Sequence, residues 1–212
     1  MWSEVLVTES EAVDLRDGTP VIIRLIRPDD TQHLQSLFGR LSRESIYYRF
    51  LGLRKELSHE QARRLADLDH QTQMALVATC GHSGEEEVIG VARYAVIPGS
   101  WPAEAEAAIV VEDRHQNKGL GTLLLERLAA YAIAHGIRAF LATVRHDNSR
   151  VLRLVQRSGL PTESRVEAGA LALRVGLEWE PDRDSGASRV LKQEEVGEHK
   201  ERGKRPCSSA II

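Results

Sequence analysis

The sequence predicts an α/β (α+β) fold: a single domain with a mixed central sheet flanked by helices. Three observations predict it. The first half interleaves hairpin-like strand patterns with short amphipathic helices, and the second half runs strand, helix, strand, helix. The halves meet at a glycine turn, "QNKGLG" (116–121), which follows an apolar strand and opens a leucine-rich helix. An antiparallel front joined to a strand–helix–strand rear makes a mixed sheet.

The elements follow in order. "EAVDLRDGTPVIIRLIR" sets Asp17-Gly18 between two alternating stretches, a hairpin signal. From Pro28 the period becomes helical, with Leu34, Leu37, Phe38 and Leu41 at steps of three and four behind Asp29 and Asp30. A second helix follows Ser42 and carries Ile46, Tyr47 and Phe50. A third opens at Ser58, with Gln61 as its capping-box partner. "QMALVATC" and "EVIGVARYAVI" read as strands around the reversal "GHSGEE", and Pro98, Gly99 and Pro102 break the second. "AEAEAAIVVE" is the next strand. The long helix after the glycine turn stops near His135-Gly136. "AFLATVRH" is a strand, Asn148 to Ser158 a helix closed by Gly159, and "AGALALRVGLEW" a terminal strand. From Glu180 the composition turns to mixed charge with Gly and Ser and no apolar period. The expected organisation is an extension over 1–20 that includes the first hairpin strand, a domain over 21–179, and a mobile charged tail over 180–212.

Composition excludes several function classes. A length of 212 residues suits one well-packed domain. A net charge of -3 leaves no global basic footprint for nucleic acid or anionic lipid. An aromatic content of 5% weakens any base-stacking platform, so no nucleic-acid partner is expected. Cys80 and Cys207 are far apart, as in a reduced intracellular protein. The N-terminus lacks a basic start followed by a long apolar core, and no apolar run nears the roughly 20 residues of a membrane span. The expected location is the cytoplasm, without membrane association.

The glycine turn carries the chemistry. A helix N-terminus leaves backbone N–H groups unpaired and bears partial positive charge. Glycines there let a bulky anion approach the main chain, so strand, glycine turn and helix form a pyrophosphate cradle. Arg114 and Lys118 add nearby positive charge, or are merely solvated. A P-loop would need GxxxxGK[ST], which is absent. A dinucleotide fingerprint would need a third small residue where Leu124 stands, and an earlier βαβ unit.

Q-x-x-G-x-G after a strand resembles the acyl-CoA-binding turn of the GNAT N-acetyltransferases. "NSRVLRLVQRSGL" is similar to that family's following helix, opened by an Asn (here Asn148) and closed at Gly159-Leu160. The likeness runs from about Val21 to Glu178. Within the family, "IRPDD", "RLSRESIYYRF", "VIGVARY" and "AEAAIVVEDRHQNKGLGTLLLERLA" are similar to the acetyltransferase domain of Pat-type protein lysine acetyltransferases. The resemblance implies acetyl-CoA as co-substrate and no metal. It implies main-chain contacts to the diphosphate over Gln116, Asn117, Lys118, Gly119, Leu120, Gly121 and Thr122, and a contact from Asn148 to the pantetheine arm. It also implies an oxyanion donor among the main-chain N–H groups late in the preceding strand, at Val110 or Val111.

Acetyl transfer to an amine needs a neutral nucleophile, and at pH 7 only about one lysine amine in two thousand is neutral. A carboxylate within reach can take that proton. Glu104 and Glu106 lie two apart on the strand, hence on one face, in an otherwise apolar run. A carboxylate there is solvated, paired or functional. The resemblance matches Glu106 to the general base. Many family members place a Tyr seven residues after the Asn to protonate the leaving thiolate; Val155 holds that position here, so no side-chain acid is assigned.

The remaining signals are weaker. The eight histidines show no HExxH, Cys80-Gly81-His82 stands alone, and no cysteine pair has ligand spacing. His115 reads first as a solvated loop residue beside the turn. Tyr47 and Tyr48 line the substrate cleft or pack in the core. "KERGKR" reads as solvated linker, with Lys192, Lys200 and Lys204 as self-acetylation candidates. The expected acceptor is a protein lysine. The alternatives are a small-molecule amine and a module that senses acyl-CoA without turning it over.

Overall fold

The computed structural model describes residues 10–81, 86–167 and 169–177. The charged tail, Cys207 and the candidate lysines 192, 200 and 204 lie outside the described residues, as does the reversal at 82–85.

The hairpin expected at Asp17-Gly18 is formed by β1 (Ser10–Asp14) and β2 (Pro20–Leu25), in register from Asp14 against Pro20. The Asp17 carboxylate accepts the Thr19 amide at 3.1 Å, an Asx-type closure of the turn. After a single 3-10 turn at Pro28–Asp30 come α1 (Thr31–Arg40), α2 (Arg43–Phe50) and α3 (His59–Ala66). Ser42 caps α2 by accepting the Ser45 amide. Ser58 and Gln61 form the reciprocal capping box at α3. β3 (Gln73–Cys80), β4 (Glu87–Val96) and β5 (Glu104–Val111) follow, then α4 (Leu120–Ala134), β6 (Ala139–Arg145) and α5 (Ser149–Ser158). The chain returns through β7 (Thr162–Glu167) and β8 (Ala170–Gly176).

The eight strands of the described residues lie in one sheet, ordered β1-β2-β3-β4-β5-β6-β8-β7. Every neighbouring pair is antiparallel except β5 and β6, which α4 connects as a parallel crossover. The sheet is therefore mixed, as the two-part sequence pattern predicts. The sequence pattern leaves β7 unassigned. "TESRVE" has one apolar residue, Val166, and is exposed along almost its whole length, so it has no core-facing period to read. It becomes a strand because β8 offers it an edge.

Each sheet face carries its own core. On one face, Leu120, Leu124 and Leu128 of α4 are buried against Met74, Tyr94 and Phe140. On the other, α1 and α3 bury Leu34, Phe38 and Leu65 against Ala75, Val77 and Val91. Along β5 the odd residues 105, 107, 109 and 111 join the α4 core, whereas Val110 joins the α1–α3 core. Glu104, Glu106 and Ala108 thus share the α1–α3 face with Val110.

A buried ion pair pins the start of α1 to the sheet. The Arg24 guanidinium donates to both Asp30 oxygens at 2.8 Å, and the Arg27 amide donates to Asp30 at 2.8 Å. Asp30 is 1% exposed and Arg24 5%. Burial pushes the Asp30 pKa up, but the Arg24 and Arg27 hydrogen bonds outweigh it and hold the carboxyl below its usual range. Among the described residues no helix is long and apolar enough to cross a membrane.

Candidate active site

The site begins where the sheet opens. β5 and β6 pair only at Glu104–Ala139, Ala105–Phe140 and Glu106–Leu141. Beyond Glu106 the two strands part, and a cleft of about 320 Å³ lies between Ala107–Val111 on one side and Ala142–Val144 on the other. Glu106 stands at the apex of this parting, half-buried, with Ala95 of β4 as its other neighbour. The carboxylate is not itself in the cleft wall; Ala107 and Ala108, the next residues, are. Among the described residues the Glu104 carboxylate has a partner and that of Glu106 has none, since Arg174 of β8 donates to Glu104 at 2.8 Å.

The backbone of β5 sorts its own donors. Ile97 donates to the Glu104 carbonyl and Glu112 donates to the Ile89 carbonyl, both at 2.8 Å. Even-numbered residues therefore turn their peptide groups to β4 and odd-numbered ones toward the cleft. The Val110 amide belongs to the β4 ladder. Val111 faces the cleft, and so does Ile109, which the sequence reading does not single out. The Val111 carbonyl accepts the Gln116 side-chain amide at 2.9 Å, which fastens the glycine turn to the end of β5.

The turn itself adopts left-handed conformations at Asn117 (φ 62°) and Gly119 (φ 95°). Gly119 is the N-cap of α4 and supplies no side-chain cap. Among the described residues the amides of Asn117, Lys118, Gly119, Leu120 and Gly121 have no intramolecular acceptor, whereas Thr122 donates to the Gly119 carbonyl at 3.0 Å. Leu120 offers only its main chain, because its side chain is buried in the α4 core. Gly119, Gly121 and Thr122 line the cleft, as do Gln116 and Asn117.

The positive charge around the turn differs from the expectation. Lys118 is held by Asp17 of the β1–β2 turn at 2.8 Å, and this contact keeps the Asp17 carboxyl well below its usual range. Arg114 pairs with Glu87 and Glu112, each at 2.6 Å. Two residues that the sequence reading did not single out, Arg16 and Arg153, reach the cleft instead, and Arg157 joins them. The Arg16 backbone donates to the Lys118 carbonyl at 3.0 Å, so the hairpin lies directly on the glycine turn. On α5, Arg150, Arg153 and Arg157 fall at helical steps on one face, a spacing visible in the sequence.

Asn148 caps α5 by accepting the Val151 amide at 3.3 Å; it is 6% exposed and lines the cleft. Its oxygen serves the cap, and its NH2 is the group that can donate to a cleft contact. Val155 lines the cleft with no proton to give. Tyr48 lines it too and donates to the Asp147 carbonyl at 3.4 Å, while Tyr47 lies beneath the Arg145 guanidinium at 4.8 Å. With Glu44 paired to Arg150 at 3.0 Å, these contacts link α2 to the β6–α5 corner across the cleft. His115 is buried, not solvated: it is 8% exposed, and its Nδ1 lacks a partner among the described residues. Burial, helped by the Lys118 charge, lowers its pKa.

The fold is shared with known proteins. The model of the Acetyltransferase (GNAT) family matches residues 42–160. An acetyltransferase of Pseudomonas aeruginosa is 35% identical over 124 residues, covering 58% of this chain and 66% of its own. The acetyltransferase Pat of Mycolicibacterium smegmatis is 30% identical over 147 residues, 69% of this chain and 43% of its own. The chain thus spans less than two thirds of either relative's length. The crystal structure of the GNAT domain of S. lividans PAT superposes with a TM-score of 0.72 at 33% identity, over 82% of this chain and 99% of that domain.

Proposed function

The chain belongs to the GNAT family of acetyltransferases, and from that premise we propose that it is an acetyl-CoA-dependent N-acetyltransferase whose acceptors are protein lysine side chains. One observation carries the reading. The parting of β5 from β6 just beyond Glu106 opens a cleft that runs from Asn117, Gly119 and Gly121, whose amides have no acceptor among the described residues, to the neighbours of a carboxylate. Similarity to Pat and to the PAT domain supports the lysine acceptor, and a cytoplasmic location goes with it.

The residues divide the work as follows. The amides of Asn117 to Gly121, at the positive end of α4, would bind the coenzyme's diphosphate. Arg16, Arg153 and Arg157 would add charge along the same wall. The Asn148 NH2 would hold the pantetheine arm. The Val111 N–H, with Ile109 beside it, would receive the negative charge that develops on the thioester oxygen as the amine attacks the carbonyl carbon. Glu106 would take the proton that the amine loses, directly or through a water. The carbon–sulfur bond then breaks and a thiolate departs. A thiol pKa near 8.5, by analogy with cysteine, makes that departure feasible without an acid at Val155.

Glu106→Gln tests the reading. In a CoA-thiol release assay with a lysine peptide, kcat should fall by about 10²–10⁴ while acetyl-CoA affinity is unchanged. Unaltered turnover at neutral pH would remove Glu106 from the mechanism. Tight acetyl-CoA binding with no release to any acceptor would favour a sensor, and acetylation of small amines but of no lysine in a cell lysate would transfer the activity to small molecules.

A further inference from the structure

A second, smaller cavity of about 50 Å³ lies behind the cleft on the α1–α3 face of the sheet. Its walls are apolar except for Arg49 and Arg93, and it shares Arg49, Ala108 and Val110 with the cleft. Arg93 is 3% exposed, its Nε is buried without a hydrogen-bond partner, and no carboxylate forms an ion pair with it among the described residues. A guanidinium so placed is costly, because burial disfavours charge that lacks a counter-ion. The cost registers in Arg93. Burial pushes the Arg93 pKa down to about 10. Burial, then repulsion from Arg93, pushes that of Arg49 down to about 9. The pair forms an electropositive end in an otherwise oily cavity, at the point where that cavity meets the cleft.

We propose that Arg93, with Arg49 beside it, is a carboxylate-binding subsite for the acceptor, so that the preferred acceptor presents a carboxylate about 7 Å from its amine nitrogen. This rests on the acetyltransferase reading of the cleft. The register fixes the spacing: Arg93 lies opposite Ala108, and Ala108 is on the same strand face as Glu106, two residues along. That step is about 7 Å, close to the reach of a four- or five-carbon chain. Ala108 lines both cleft and cavity and puts only a methyl side chain between them. The planar guanidinium fork suits a carboxylate, which would meet the orphaned Nε and neutralise the buried charge in one contact. The carboxylate comes either from a small amino acid or from an acidic side chain beside the target lysine of a protein.

The experiment compares 5-aminopentanoate with pentylamine, and a lysine peptide bearing Glu next to the lysine with its Gln counterpart. CoA-thiol release is measured for wild type and for Arg93→Met. Wild type should favour the carboxylate member of at least one pair by about tenfold or more in kcat/KM, and the preference should vanish in Arg93→Met through KM. Preference confined to the peptides assigns the carboxylate to a protein acceptor, and preference confined to 5-aminopentanoate assigns it to a small one. Calorimetry with glutarate on the protein–CoA complex reads the subsite without turnover; saturable binding by wild type should be absent from Arg93→Met. The Tm of Arg93→Met should be unchanged or higher, since an uncompensated buried charge is removed; Arg93→Gln gives a second reading if the methionine variant does not fold. No preference in either pair, or glutarate binding that survives the substitution, overturns the proposal. Failure of wild type to acetylate any amine would overturn the acetyltransferase reading instead, and glutarate binding would still decide the subsite.

Discussion

Gly121→Ala separates a ligand requirement from a folding requirement at the glycine turn. A methyl group built at Gly121 meets only the Leu154 side chain, at 3.7 Å, an ordinary contact, and the residue has helical rather than left-handed backbone. Nothing in the protein itself therefore demands glycine there. Replacing glycine by alanine near the start of α4 should stabilise the fold by up to about 0.5–1 kcal/mol, or roughly 1–4 °C in Tm for a domain of this size. Yet Gly121 lines the cleft, and its amide is one of those without an acceptor. A methyl there would stand between the main chain and an approaching diphosphate. Losing one charge-assisted hydrogen bond costs about 1.5–3 kcal/mol, which is a roughly 10- to 150-fold rise in Kd. Thermal unfolding without ligand and calorimetric titration with acetyl-CoA measure the two effects on the same preparation. A variant that is more stable and binds as tightly as wild type would refute the diphosphate assignment, because glycine would then serve no purpose at that position.

The other predictions concern the hairpin and its buried anchor. Arg16→Ala should weaken acetyl-CoA binding by about three- to fivefold in low salt, the range expected of an exposed charge contact. The difference should shrink as salt screens it, so titrations at two ionic strengths check it. Asp30→Ala leaves Arg24 buried without its main partner and should cost about 3–5 kcal/mol in chemical denaturation. The sign of the acid response follows from the lowered Asp30 pKa: its stabilisation is present at neutral pH and is lost as pH falls through the folded-state value, below about 3.9. Wild type should therefore lose more stability than Asp30→Ala between pH 5 and pH 2. An equal loss would mean that the pair does not govern the acid limb.

Local signals settled most of the architecture. Asp17-Gly18, the Ser58–Gln61 capping box and the Asn148 and Gly159 ends of α5 each act within a few residues, and each element formed where its signal lay. β7 escaped because its reason is not local: a polar, exposed segment is a strand only by virtue of the edge it pairs with.

The sequence by itself determined the order of elements apart from β7, the mixed character of the sheet, and the glycine turn at the head of α4. It fixed these because period, caps and glycine act through neighbours in the chain. Only the tertiary structure decided which groups at the cleft are available. Lys118 is engaged by Asp17, Arg114 by Glu87 and Glu112, the Thr122 amide by Gly119, and the Val110 amide faces β4. Arg16 arrives at the turn from a hairpin a hundred residues earlier, and Arg93 comes to rest behind Ala108 with its Nε lacking a partner among the described residues. Charge and hydrogen bonding depend on distance through space, and for these groups that distance is set by sheet register and helix packing, not by position along the chain.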